Sequence, residues 1–219
     1  MRIAIAADEW QAQEARDHAR GHAAYNRSFT LRRAPMALTA TIHKAELSIS
    51  DMDRHYYASH ALTLARHPSE TEERLMARLL AFALYADARL EFGKGLSDTD
   101  EPALWRKAYT GEIELWIDVG LPDDTRLRKA CNQSRQVVVL AYGGHAADVW
   151  WSKIAGTLAR HDNLNVLAVD AADMQQLAAL CQRTMRLQCL IQDGELQLIA
   201  GDATLAIRPG IRMGGHAVA

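Results

Sequence analysis

From Glu112 to Val119 apolar and polar residues alternate strictly. Ile113, Leu115, Ile117 and Val119 share one face of a strand, and Glu112, Glu114, Trp116 and Asp118 share the other. Three carboxylates on one strand face repel one another, so that face must meet water or hold a cation. Gly120 and Pro122 close the strand, and Asp123-Asp124 supply the N-cap of a helix over TRLRKACNQS. Upstream, HPSETEERLMARLLAFALYADARL carries a helical stripe of Leu75, Met76, Leu79, Leu80 and Ala83. Pro68, and Ser69 with Glu72 three residues on, mark the start of that helix. Glu72 and Glu73 extend the stripe at its N-terminal edge. They either lie beside a strand or simply favour the helix dipole.

Other segments alternate at strand period. ALTATIHKAELSIS and HYYASHALTLAR, joined through Asp51-Met52-Asp53, read as a long β-hairpin with a bulge expected near Lys44–Ala45, where the alternation slips. RLEFGKG and ALWRKAY read as short strands, separated by the acidic loop LSDTDEP. QVVVLAYGG and NLNVLAVD are continuously apolar, as buried parallel strands are. HAADVWWSKIAGTLAR and AADMQQLAALCQR follow them as helices. TMRLQCLIQ, ELQLIA and ATLAIR close the pattern, with Asp193-Gly194 as a hairpin turn. The order predicts an α/β fold with a mixed central sheet, plus a second, antiparallel β layer built from the two chain ends. Of the adjacent Trp150 and Trp151, one must leave the core unless a further layer covers it, and packing against the terminal β layer is the expectation. Gln188 and Arg183 read as a polar strand face.

Composition narrows the function classes. The chain has 219 residues, a formal net charge of −2 and 49% hydrophobic residues, so it can bury a core, and a nucleic-acid partner would need a local basic patch. Three cysteines without a CxxC argue against a disulfide framework and against a cysteine-rich zinc site, and suit the cytoplasm. No apolar run approaches the ~18 residues of a membrane span, and MRIAIAA is too short for a secretory signal. Residues 1–35 carry no sustained stripe and read as an N-terminal extension. Within them His18 and His22 stand at i, i+4 without a third ligand. Residues 36–210 form one domain, and residues 211–219 read as a frayed tail.

No GxGxxG, GxxxxGK[ST], HExxH or GxSxG motif occurs. The remaining chemistry is carboxylate chemistry. Glu73, Asp100 or Glu101, Glu114 and Asp118 are expected to converge on one cleft, bordered by Arg106, Arg126 and Arg128. There they would hold a hard divalent ion such as Mg²⁺, which takes oxygen ligands and activates water toward a phosphodiester.

HPSETEERLMARLLA, DEP with Trp105, ELWIDVGLPD, RLRKAC and RTMRLQ…IQDG resemble the YaeQ family, from about Met36 nearly to the end. The resemblance implies a compact PD-(D/E)XK restriction-endonuclease-like core: helix, three strands, helix, strand. By that pattern Glu73 takes the helix position, Asp100 or Glu101 the second-strand position and Asp118 the third-strand acid. The nuclease pattern places Lys two residues after that acid, where this chain has Gly120. Lys129 is the substitute, although it lies opposite the Leu127, Ala130, Cys131 and Ser134 stripe, and Arg126 and Arg128 are no worse placed. The expected function is Mg²⁺-dependent hydrolysis of DNA or RNA. The alternative is an inactive nuclease-fold protein that binds nucleic acid or a protein partner.

Overall fold

The computed structural model describes residues 40–97 and 100–214. The extension at 1–35, its His18/His22 pair and Asp98 lie outside the described residues. Among the described residues eleven strands and four α-helices follow one another, and all but the last strand stand in the order the sequence predicts. β1 (Thr41–Asp51) and β2 (Tyr56–Arg66) form the first hairpin. α1 (Glu72–Leu84), β3 (Leu90–Phe92), β4 (Leu104–Lys107), β5 (Ile113–Val119), α2 (Asp124–Gln133), β6 (Ser134–Ala141), α3 (His145–Leu158), β7 (Leu164–Ala168) and α4 (Ala171–Ala179) make the middle. β8 (Thr184–Gln192), β9 (Glu195–Ala200), β10 (Ala203–Ile207) and β11 (Gly210–Met213) close the chain.

Two mixed sheets result. One has the order β10-β9-β8-β1-β2, the other β11-β7-β6-β5-β4-β3. The chain ends do build the first sheet together, but it is not purely antiparallel, because β8 lies parallel to β1 from Lys44↔Thr184 to Asp51↔Ile191. Asp53 fastens this junction: its carboxylate accepts the N–H groups of Asp193 and Gly194, both at 2.9 Å, and these two bonds hold its carboxyl below the usual range. Asp193 and Gly194 both have positive φ, 53° and 72°, as the tight Asp-Gly turn requires.

α1 lies between the sheets, which explains a burial pattern wider than the predicted stripe. Every residue from Leu75 to Leu84 is buried, because a helix with a sheet on either side has no solvent face. Its cap is Thr71, whose side chain accepts the N–H of Arg74 at 3.1 Å, so Glu72 opens the helix and Ser69 bonds His67 instead. Met174 and Leu177 of α4 join the same core, while α2 and α3 cover the far face of the second sheet.

Three further expectations need correction. β1 pairs with β2 without a bulge through Lys44↔Thr63 and Ala45↔Leu62; the inward set is His43, Ala45, Leu47, Ile49 and Asp51, and the apparent slip is Ile42 facing solvent while His43 faces inward. Gly210–Met213, counted mostly in the tail, instead form β11 against the open edge of β7, with Arg212 donating to Asp148 at 2.6 Å. Trp150 and Trp151 pack with α2 and the outer face of the second sheet rather than against the terminal β layer, and the Trp150 indole N–H donates to Pro122 O at 2.8 Å. Gln188 does lie on an exposed strand face. No helix among the described residues is long and apolar enough to cross a membrane.

Candidate functional site

β5 divides its side chains between two cores. Leu115, Ile117 and Val119 face α1, whereas Trp116 packs with Leu127, Ala130 and Cys131 of α2. Ile113 breaks the expected alternation and joins the Trp116 side, next to a register shift between β4 and β5. Asp118 has the parity of Trp116 and is 3% exposed, beneath α2. The face expected to meet water or hold a cation therefore holds cations, and each one is a guanidinium of this chain.

Arg126, in the first turn of α2, grips Asp118 at two points: Nε to Oδ2 at 2.8 Å and Nη2 to Oδ1 at 2.7 Å. The Trp116 indole N–H adds a third bond to Oδ2 at 3.0 Å, and the Arg126 guanidinium lies 5.7 Å from that ring. Arg126 also donates to the carbonyl of Glu101 at 2.8 Å, which ties the loop before β4 to the end of β5. Arg126 is aimed there because Asp123 caps α2, accepting the Arg126 N–H at 2.8 Å. Asp123→Ala is expected to lower thermal stability by about 1 kcal/mol, seen as a lower Tm of the full chain; a Tm equal to wild type would show that the cap is idle.

The other acids are taken up in the same way. Glu114 receives Arg89 at 2.9 Å and Arg106 at 3.1 Å, and Arg106 also reaches Asp87 at 3.2 Å. Glu112 is held by both arms of Arg135, at 2.9 and 2.7 Å, and this bonding keeps its carboxyl below the usual range. The Glu101 carboxylate accepts the Lys94 side chain at 2.8 Å and the Lys94 N–H at 3.0 Å. Lys129 ion-pairs with Asp100, and Arg128 with Asp124 at 3.1 Å.

Asp118, Asp100, Glu101, Arg126 and Lys129 are thus linked at one end of β5, whereas Glu114 and Arg106 belong to a separate cluster with Arg89 and Asp87. Glu73 is half-buried on α1, which packs on the opposite face of β5 from Asp118. The expected convergence of all these acids is not met. Among the described residues no three His, Cys, Asp or Glu side chains are grouped so as to hold a metal ion. The arrangement does not suit Mg²⁺, because Asp118, Asp100 and Glu101 each already have a cationic partner.

Gly120 has a structural reason. Its φ is +93°, a conformation that strains any side chain, so a lysine is disfavoured there. Tyr142, just after β6, is its neighbour: a Cβ on Gly120 would lie 3.9 Å from the Tyr142 ring and hydroxyl, an ordinary contact, so the backbone conformation and not crowding sets the preference. Burial pushes the Tyr142 hydroxyl up to about 12, with Glu73 and Glu70 nearby adding to the rise and Arg74 opposing it. Sequence reading missed the partners Arg89 and Arg135, and it missed the buried pair Glu70–Arg78 beside Tyr142. Glu70 accepts Arg78 Nη2 at 2.9 Å and Arg74 Nη1 at 2.8 Å. The one sequence signal for that pair is an arginine at position 78, inside an otherwise apolar helical run.

The family model of the YaeQ protein matches residues 36–209. The chain belongs to the YaeQ family. It is similar to the uncharacterized YaeQ protein of Salmonella typhi, at 48% identity over 163 residues, covering 74% of this chain and 90% of that one. The corresponding protein of Escherichia coli K12 is 45% identical over the same shares. The crystal structure of the YaeQ protein from Xanthomonas axonopodis pv. citri superposes with a TM-score of 0.79 at 57% identity, over 81% of this chain and all (100%) of that one. That from Pseudomonas syringae gives 0.78 at 36% identity, over 81% and 98%. The mixed α/β architecture of this YaeQ-family chain is therefore shared with solved relatives.

Proposed function

We propose that this YaeQ-family chain is a binding protein on a PD-(D/E)XK-like frame that does not hydrolyse phosphodiesters. The run α1, β3, β4, β5, α2, β6 follows the helix, three strands, helix, strand order of that frame. The observation that carries the reading is the clamp on Asp118. Both carboxylate oxygens are engaged by Arg126, one of them also by Trp116, inside a buried setting. A divalent ion there would have to displace a two-point, charge-assisted hydrogen bond and leave a guanidinium half-buried beside it. Glycine at the lysine position removes the usual means of neutralising a phosphoryl transition state.

A protein partner accounts for the surface better than nucleic acid. Phosphate backbones are bound through cations in excess of local anions, and near Asp118 the cations Lys94, Arg126, Arg128 and Lys129 are each matched to a carboxylate. The test is incubation of the full chain with labelled single- and double-stranded DNA and RNA in the presence of Mg²⁺ or Mn²⁺. Calorimetric titration with each ion and gel shifts at low salt run alongside. The expected result is no cleavage above that of Asp118→Asn, no saturable heat and no shift. Metal-dependent cleavage abolished in Asp118→Asn would overturn the reading in favour of a nuclease. A salt-sensitive gel shift without cleavage would replace the protein partner with nucleic acid.

A further inference from the structure

The four sheet edges are treated very differently. β3, β11 and β10 are three, four and five residues long, short enough to offer little to a passing strand. β2, the remaining edge, has eleven residues. It carries no proline, no lysine and no bulge, and its one arginine, Arg66, is turned back to the Glu70 carbonyl at 2.9 Å and to Glu72 at 2.9 Å. The devices that usually blunt an edge are missing from it.

The hydrogen-bond pattern shows which groups this edge presents. The N–H groups of Lys44 and Met52 donate to Arg183 O at 2.8 Å and Ile191 O at 2.9 Å, so the even residues of β1 turn to β8 and the odd ones to β2. With Ala45↔Leu62, Leu47↔His60 and Ile49↔Ala58 in register, the even residues of β2 are bonded to β1. The N–H and C=O groups of Tyr57, Ser59, Ala61, Thr63 and Ala65 therefore point along the outer edge. Arg78 Nη2 reaches Ala65 O at 3.0 Å from that side, which agrees with the assignment and stops any incoming strand there. From Tyr57 to Thr63 no strand among the described residues pairs with this edge.

We infer that β2 pairs with β2 of a second copy of this chain, antiparallel about a two-fold axis at His60, joining the two five-stranded sheets into one. A two-fold at position 60 is central to the four outward residues that Arg78 leaves open, Tyr57, Ser59, Ala61 and Thr63. Tyr57 exchanges both backbone bonds with the partner's Thr63, and Ser59 does so with the partner's Ala61. On the inner face Ala58 meets the partner's Leu62, and His60 meets the partner's His60. No lysine, arginine or carboxylate opposes another. Tyr56 and Leu62, half-buried at the rim of the inner core, gain cover from the added strand. A two-fold pairing of one surface with itself closes at two copies and uses up the one long edge, leaving only the short β10 strands at the ends of the joined sheet.

Sedimentation velocity of the full chain, from low to high micromolar concentration, tests the pairing. A monomer–dimer equilibrium is expected. Ala61→Pro removes an outward N–H and no bond to β1, so it should weaken self-association about tenfold or more while the circular dichroism stays native. Ser59→Lys/Thr63→Lys, with both side chains on the exposed face, should act in the same direction without touching the core. His60→Cys should form an intermolecular disulfide with diamide, which wild type does not form, since Cα atoms at such a pair lie about 4.5 Å apart. A chain that stays monomeric throughout, or a dimer that survives both edge variants and is not cross-linked through position 60, overturns the inference.

Discussion

Replacing Arg78 with alanine is expected to cost about 3–5 kcal/mol of folding stability, read from urea unfolding of the full chain. Arg78 is 1% exposed and Glu70 2%, and they meet at 2.9 Å between the two sheets. The guanidinium also donates to Ala65 O and lies 5.9 Å from the Phe92 ring. Its removal leaves a buried carboxylate with Arg74 as its remaining cation, opens a cavity in α1 and frees the end of β2. The double variant Arg78→Met/Glu70→Gln removes both charges and should recover much of the loss, because the main cost lies in stranding one charge. Arg186→Ala serves as a contrast. That residue pairs with Glu46 at 3.1 Å, but with side chains 84% and 68% exposed, and such a pair is worth about 0–1 kcal/mol. If Arg78→Ala and Arg186→Ala unfolded at similar urea concentrations, the buried pair would have no structural weight.

The second large effect is expected at Phe82. Its ring stacks on Phe92 at a centroid distance of 5.4 Å and meets His60 edge-on at 5.0 Å, so it joins α1 to both sheets at once. Phe82→Ala deletes a fully buried ring from a helix that is enclosed on all sides and cannot relax into solvent. The expected loss is about 3–5 kcal/mol, with an unchanged denaturant slope if the fold stays two-state. Ile211→Ala, on an edge strand at 51% exposure, should cost well under about 1 kcal/mol by the same measurement. A loss at Phe82 no larger than that at Ile211 would contradict the placement of α1 between the sheets.

The candidate site was legible only in part. The strand over 113–119, its termination at Gly120, the helix capped by Asp123 and the identity of the acids all follow from local pattern. What the acids bind did not follow. Arg89, one of the two guanidinium partners of Glu114, and Arg135, the partner of Glu112, come from 25 and 23 residues away in sequence and carry no sign of whom they will meet. An arginine reaches several ångström beyond its backbone and can turn either way, so its partner is settled by packing. Lys129 behaved as its position on the helix implied: it is surface-exposed and engaged by Asp100 rather than by Asp118.

By itself the sequence determined the order and type of the elements as far as β10, the Asp-Gly turn and the YaeQ family. These depend on side-chain period and on backbone preferences that act within a few residues. Tertiary structure decided that β8 lies parallel to β1, that α1 is enclosed on every side, that His43 and Asp51 face inward and that Gly210–Met213 pair with β7. It also decided that Arg126 holds Asp118. Each of these is a meeting of segments distant in the chain, fixed by which unpaired edge, apolar face or buried charge remains to be satisfied once the local elements have formed.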